Sequence, residues 1–412
     1  MERKATDLKR TSGQWGYRKV EDNVLHIQQH RFQILARLER HVRFTAAWRY
    51  FHGQFCFILH RLSFLQDGRR RRYLMAPMDF HTFAGLPSLP NLAQITFPNA
   101  QEQPMEPIIT PLDASFGARI TNIDLATMDD ATWKCVEDAF HKYAALVFPD
   151  QNLSPEDQYI FACRFGEIEV TRPGSEGQTV TISNEKPDGS VFSADDARFK
   201  SLRGNEGWHI DSTYMPLAAK AGILMAKALP SSGGGTELAD MRTAYDALDD
   251  SMKDRIAGLS AYHSLYASQA KIGHIVETGT AYGFHTEGAP LRPLVRTHPV
   301  TGRKSLCIGR HAFRIPGMDD DAADAILEEL LDFACQAPRV YSHNWALGEL
   351  MIWDNRCVMH RAMPYDFSET RILQASRIAG DPTTDLAPTK SDDHANGFKP
   401  TATNKIEKIT SV

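Results

Sequence analysis

The stretch Gly348-Glu349-Leu350-Met351-Ile352-Trp353-Asp354-Asn355 leads through Cys357 to His360. Its apolar run is short and ends in turn-forming residues, so it reads as a buried strand running into a turn, with a histidine just beyond. Comparable strand-like stretches lie at Gly222 to Ala228, Lys304 to Ile308 and Arg371 to Ala379. Upstream, a short strand near Ile108, a Gly117 turn, a strand at Ile120 to Leu125 and another at Ala145 to Phe148 continue the pattern. Helices intrude locally. Trp133, Val136, Phe140 and Tyr143 recur at helical spacing behind Asp129 or Asp130 as cap. Ser154, Pro155 and Asp157 open a second helix that presents Tyr159, Phe161 and Phe165 and stops at Gly166. Asp320 to Gln336 is a third, with Ala322, Ala325, Ile326, Leu330 and Phe333 on one face. Many short strands with Gly and Pro turns and few helices predict an α+β, mainly β fold. Its core would be a double-stranded β-helix (jelly roll) of two facing sheets with flanking helices.

The chemistry is expected at Trp208-His209-Ile210-Asp211. In a strand, side chains two apart share a face about 6 to 7 Å from one another, close enough for an imidazole and a carboxylate to reach one ion. Alone the pattern is weak, because sixteen histidines yield about one His-x-Asp by chance. His360, beyond the buried strand, supplies a third ligand. Two histidines and one carboxylate on a barrel wall leave three coordination positions open, the facial arrangement of iron(II) oxygenases. The sequence has no G-x-G-x-x-G, P-loop, G-x-S-x-G or H-E-x-x-H, which argues against nucleotide binding and serine hydrolysis.

The 412 residues are 42% hydrophobic and 24% charged, with a formal net charge of -5. That is an ordinary globular composition, and its slight acidity argues against nucleic acid as a partner. The six cysteines lie far apart with no C-x-x-C pair, as in a reducing compartment. No apolar run approaches the roughly 20 residues of a membrane helix, and the charged start, Glu2, Arg3, Lys4 and Asp7, is unlike a secretory signal. Cytoplasmic location without a membrane partner is the expectation.

Residues 1–104, with the run Arg69 to Arg72, a basic amphipathic stretch at Val24 to His60 and prolines from Pro77 to Pro104, read as a poorly ordered basic extension. Residues 105–382 form the working domain, and 383–412 a polar tail.

Beyond these patterns, the sequence resembles the iron(II)- and 2-oxoglutarate-dependent dioxygenases of the taurine dioxygenase and 2,4-dichlorophenoxyacetate dioxygenase type. In that family a Thr in a Gly-Gly-x-Thr turn follows the metal Asp by about twenty-five residues; here Gly233-Gly234-Gly235-Thr236 ends twenty-five after Asp211. An Arg follows the distal His by eleven, as Arg371 follows His360. The segments Trp208 to Tyr214, Arg292 to Leu306 with Thr297-His298-Pro299, and Trp353 to Ala362 also match. The likeness spans roughly residues 107–381.

The resemblance implies Fe(2+) held by His209, Asp211 and His360, with 2-oxoglutarate and O2 as co-substrates. Arg371 would pair with the distal carboxylate of 2-oxoglutarate and Thr236 would add a hydroxyl. The reaction would hydroxylate, and thereby sometimes cleave, a small anionic molecule such as an aryloxyalkanoate or sulfonate, releasing succinate and CO2. Asn205, four residues before His209, and Arg377, on the same strand face as Arg371, are candidate substrate contacts. Where the taurine enzyme has its second Arg, four residues past the first, this sequence has Ala375. Ser268 to Pro290, with His274 and His285, reads as a mobile lid whose two histidines are solvated. Ligation needs neutral imidazoles, so acid should cost activity as His209 and His360 protonate. A homo-oligomer remains open, as do two other readings of the same residues: a jelly-roll metal-dependent hydrolase or isomerase, and a non-catalytic binding protein.

Overall fold

The computed structural model describes residues 106–171, 179–274, 282–285 and 287–389. The chain divides into two units, Met1–Pro98 and Asn99–Val412, and all described residues belong to the second. The expected basic extension, its amphipathic stretch and the tail beyond residue 389 lie outside them.

Fifteen strands are described: β1 Ile108–Pro111, β2 Ala118–Thr121, β3 Ala145–Phe148, β4 Val180–Ser183, β5 Ala219–Ala228, β6 Thr236–Asp240, β7 Ser260–His263, β8 Leu291–Pro293, β9 Val295–Thr297, β10 Lys304–Leu306, β11 Ala312–Phe313, β12 Val340–His343, β13 Leu350–Asp354, β14 Val358–Ala362 and β15 Ile372–Ala379. The helices are α1 Asp130–Tyr143, α2 Pro155–Cys163, α3 Ala197–Gly204, α4 Met241–Ala247, α5 Asp250–Ile256, α6 Leu265–Ala270 and α7 Asp320–Ala334. None of the described helices is long and apolar enough to cross a membrane.

The protein is thus mainly β with several helices. The largest sheet runs β1-β2-β3-β13-β5-β15-β4, and a second runs β12-β6-β14. Strand β13 explains why. All five of its residues are buried, and the pleat sends alternate side chains to opposite faces. Leu350 and Ile352 join Ile223 and Met225 of β5 against Val136, Phe140 and Phe161 of α1 and α2. Met351 and Trp353 face the other way, into a cluster with Leu238 of β6, Val358 of β14 and Leu373 of β15. The next residue of β6, Ala239, packs with Ile326 and Leu330 of α7. The strands β5, β6, β13, β14 and β15 therefore have apolar partners on both faces, and each fully buried Leu, Ile or Phe contributes roughly 1.5–3 kcal/mol.

Local signals place the helix ends. Asp129 caps α1 through Thr132 N–H at 2.8 Å, and Ala144 closes it in a left-handed conformation, φ 62°. Ser154 and Asp157 exchange hydrogen bonds of 3.0 and 2.7 Å at the start of α2.

Three expectations need correction. The buried face of α7 is Ala323, Ile326, Leu327, Leu330 and Ala334, whereas Ala322 and Ala325 are exposed; the large side chains set the stripe, and alanines carry too little apolar area to do so. Trp208 to Asp211 is not a continuous strand: His209 makes a single antiparallel bridge to His360, and Ser212, at φ 55°, turns the chain away. Residues 383–389, assigned to the tail, are anchored. Ala387 N–H donates to Pro216 O at 2.9 Å, Arg292 reaches Asp385 O at 3.1 Å, and Asp385 is buried.

Candidate active site

The bridge between His209 and His360 builds the site. Each residue donates its backbone N–H to the other's carbonyl at 2.9 Å, a pairing that puts both side chains on one side of the ladder. Their ring centroids lie 4.1 Å apart. Asp211, two residues on, brings Oδ2 to 3.7 Å from His360 Nε2. One potential ligand atom from each of the three lies within 4.8 Å of the other two, and all three residues are buried. His209 Nδ1 sits 2.8 Å from Gly207 O. A carbonyl only accepts, so Nδ1 carries the proton and Nε2 keeps a free lone pair for a metal. Beneath the carboxylate, β5 has Gly222; a Cβ there would meet Trp353 at 2.5 Å and Asp211 Oδ2 at 3.1 Å.

Arg371 and Thr236 line the same cavity, of about 470 Å³. Arg371 is 5% exposed. Its Nε donates to Gly234 O at 2.8 Å and its backbone N–H to Asn184 Oδ1 at 2.8 Å. No carboxylate of the described residues lies within ion-pair distance of it, and burial holds its pKa below the usual arginine value. A Cβ on Gly234 would crowd this side chain at 3.1 Å, and that glycine has φ 67°, which accounts for two demands on one turn residue. Thr236 Oγ1 accepts from Trp345 Nε1 at 3.0 Å. Because an indole N–H only donates, the threonine hydroxyl hydrogen is left to face an acceptor.

Asn205 caps α3, its backbone carbonyl accepts from Ala362 N–H at 2.8 Å, and it lines the cavity. Arg377, expected to hold a substrate anion, also lines it but is already paired: with Asp211 Oδ1 at 2.8 Å and Glu169 Oε2 at 3.8 Å. Its guanidinium thus stands between the cavity and the carboxylate of Asp211. Sequence reasoning missed Arg310, whose guanidinium donates to Gly204 O and to Ser268 O. It has no carboxylate partner among the described residues, and burial pushes it down to about 10. It also missed Tyr282 and Phe284, cavity-lining residues of the expected lid. His285 and His274 are half-buried and partnered: His285 Nε2 lies 2.8 Å from Tyr214 O, and His274 Nδ1 lies 3.0 Å from Gln269 Oε1.

In a second cluster of metal-like spacing, His141, His298 and Asp354, the last two are already partnered. His298 Nδ1 accepts from Val300 and Thr301 N–H, which leaves Nε2–H to donate to Asp354 at 2.9 Å. Arg356 occupies the same carboxylate at 2.7 Å. The Thr297-His298-Pro299 motif thus pins the turn after β13.

Burial, reinforced by His360, pushes His209 down to about 3, and burial also lowers His360. The folded site therefore favours the neutral imidazoles that ligation needs, which works against the expected acid loss by their protonation. Acid should act on the fold instead. Burial likewise holds His263 and His311 well below the ordinary histidine value of 6.5. Below that pH the unfolded chain binds protons that the folded chain refuses, so stability is full above it and falls as pH drops toward the folded-state values. Each such histidine contributes about 1.4 kcal/mol per pH unit in that window. Glu169 and Glu206, raised by burial, oppose the trend, while His141 and His274, lowered by burial, add to it. Denaturant unfolding of the metal-free protein at pH 7.5, 6.5 and 5.5 should show the decline; a flat profile would contradict it.

The family described as taurine catabolism dioxygenase TauD, TfdA family matches residues 108–376. The chain is 50% identical over 285 residues to the (S)-phenoxypropionate/alpha-ketoglutarate-dioxygenase of Sphingobium herbicidovorans, covering 68% of this chain and 97% of that protein. It is 36% identical over 287 residues to the alpha-ketoglutarate-dependent 2,4-dichlorophenoxyacetate dioxygenase of Cupriavidus pinatubonensis, covering 67% and 99%. A crystal structure of AAD-2 in complex with Mn(II) and N-oxalylglycine superposes with a TM-score of 0.63 at 37% identity, over 69% of this chain and all (100%) of that one. The chain belongs to the TauD, TfdA family and is an alpha-ketoglutarate-dependent dioxygenase, an oxidoreductase that consumes 2-oxoglutarate and O2 with a small-molecule substrate. The hydrolase, isomerase and binding-protein readings fall with that membership.

Proposed function

We propose that His209, Asp211 and His360 hold one iron(II) on the wall of a jelly roll, and that the enzyme hydroxylates a small carboxylate of the aryloxyalkanoate class. The carrying observation is Arg371: a buried guanidinium without a carboxylate partner among the described residues, in the same cavity as a triad of two imidazoles and one carboxylate at metal-ligand spacing. Such a donor set suits iron(II) and leaves open positions. Two sheets that share the Trp353 and Leu238 cluster support the jelly-roll reading.

Bound there, the metal would supply activation of O2 coupled to decarboxylation of 2-oxoglutarate to succinate and CO2. The chain's own residues do the rest. Arg371 binds the distal carboxylate of 2-oxoglutarate through a planar fork, and Thr236 donates its hydroxyl to the same anion. Gly207 O fixes the His209 tautomer. Arg310 takes the substrate carboxylate, Asn205 offers it a hydrogen bond, and Leu202, Leu265 and Phe284 shelter an aryl ring from water. The relatives named for phenoxypropionate and 2,4-dichlorophenoxyacetate favour this class, with a sulfonate as the competing anion.

The test is anaerobic addition of iron(II) and 2-oxoglutarate, read by the weak visible charge-transfer band of the chelate. Admission of O2 with a panel of aryloxyalkanoates and sulfonates follows. Succinate release stoichiometric with consumption of an aryloxyalkanoate is expected; absence of the band, or release driven only by sulfonates, would overturn the respective half of the proposal. Replacing Arg310 by Met should raise the KM of that substrate about 30-fold or more, the cost of losing one buried charge pair. The charge-transfer band should survive, and an unchanged KM would remove Arg310 from the substrate site.

A further inference from the structure

Arg377 stands where the carboxylate of the triad, the cavity and the loop above it meet. Its Nη2 donates to Asp211 Oδ1 at 2.8 Å, while Asp211 Oδ2 lies on the triad side, 3.7 Å from His360 Nε2. Its Nη1 donates to Ser212 Oγ at 3.3 Å, and Glu169 Oε2 lies 3.8 Å from its Nε. Glu169 in turn accepts from Ser212 Oγ at 2.8 Å and from the Tyr282 hydroxyl. The Tyr282 ring completes the enclosure, its centroid 5.7 Å from the guanidinium carbon. Tyr282 belongs to the segment between α6 and β8 that was expected to form the lid.

A carboxylate can meet a metal through one oxygen or through both. If Asp211 used both, the triad would fill four positions of an octahedron and leave two, which a bidentate co-substrate would exhaust before O2 could enter. A guanidinium hydrogen-bonded to Oδ1 prevents this, because bidentate binding would require that charge-assisted bond to break. Groups of this kind orient metal ligands from outside the coordination sphere.

We propose that Arg377 is a positioning residue that ties up Asp211 Oδ1, so that the carboxylate serves the metal through Oδ2 alone and three positions stay open. Glu169 and Tyr282 hold Arg377 in that pose, and through them the loop carrying Tyr282 bears on the metal carboxylate. The inference rests on the iron centre proposed above.

The experiment compares wild type, Arg377→Gln, Arg377→Lys and Tyr282→Phe. Each is titrated anaerobically with iron(II), and its ligand-field bands are recorded by near-infrared magnetic circular dichroism before and after 2-oxoglutarate. Arg377→Gln should bind iron at least as tightly as wild type, since a competing cation has gone. It should nevertheless shift the bands before co-substrate is added and weaken 2-oxoglutarate about tenfold. Arg377→Lys should recover part of that loss, and Tyr282→Phe should move the same readouts two- to threefold. A merely structural defect would weaken iron and co-substrate together, and that outcome overturns the proposal. So do unchanged bands with 2-oxoglutarate affinity within twofold of wild type, or a rise confined to the KM of the substrate, which would return Arg377 to the substrate site. If wild type itself takes up no iron, the metal centre fails first and this inference with it. Should Arg377→Gln not fold, Tyr282→Phe carries the test, and its indifference in both readouts counts against the coupling.

Discussion

Arg371→Ala is expected to raise the 2-oxoglutarate requirement by about 100-fold or more while leaving iron(II) binding intact. The guanidinium is buried, one nitrogen is spent on Gly234 O, and the described residues supply no anion to neutralise it. A co-substrate carboxylate would complete it, and losing one partner of such a buried charge pair costs about 2–5 kcal/mol. Lysine should rescue poorly, because an ammonium is a point charge without the fork. The same reasoning gives an unusual sign for stability. Burial disfavours the charged form of Arg371, so the alanine variant should melt no lower than wild type when no co-substrate is added, in keeping with sites that trade stability for function. Equilibrium titration of the chelate band and thermal melts of metal-free protein check both halves; co-substrate affinity within threefold of wild type would remove Arg371 from its role.

The second large effect is expected from His360→Ala. Iron uptake should be lost, and turnover should fall by more than the roughly 10- to 100-fold typical of outer-shell losses. The fold should survive, because β14 keeps its backbone pairing with β6 and the bridge to residue 209 uses only main-chain atoms. Gly222→Ala probes the same centre from below. Its Cβ would push on Trp353, whose ring packs on His360 with centroids 4.5 Å apart, and on Asp211 Oδ2. An overpacking cost of about 1–3 kcal/mol and iron affinity reduced about tenfold are anticipated. Anaerobic metal titrations with parallel melts measure them; full iron occupancy in His360→Ala would mean that the triad is not the metal centre.

Much of this was readable from residue order. Intervals of twenty-five and eleven residues, matched through the family resemblance, pointed to Thr236 and Arg371, and both line the cavity that holds His209, Asp211 and His360. The alternation along β15 put Arg371, Leu373, Ala375 and Arg377 on one face, and all four line the cavity. What that alternation could not reveal was the occupant opposite each side chain. Arg377 meets Asp211 and Glu169, which lie far from it in the chain, whereas Arg310, which sequence position did not single out, donates to the carbonyls of Gly204 and Ser268. The alanines of α7 failed as markers for a similar reason: a methyl group follows the face that larger neighbours choose.

The sequence by itself determined a mainly β chain with helix caps at Asp129 and Ser154, because periodicity and capping are local, and through its family resemblance it singled out His209, Asp211, His360, Thr236 and Arg371, which the structure brings to one cavity. Only the tertiary structure decided which buried cations already have an anion, which oxygen of Asp211 faces the triad, that a glycine must lie beneath it, and that the segment at 383–389 is packed. Those are properties of neighbours brought together by chain crossings, and charge compensation in a buried cavity depends on distance in space, to which order along the chain carries no direct pointer.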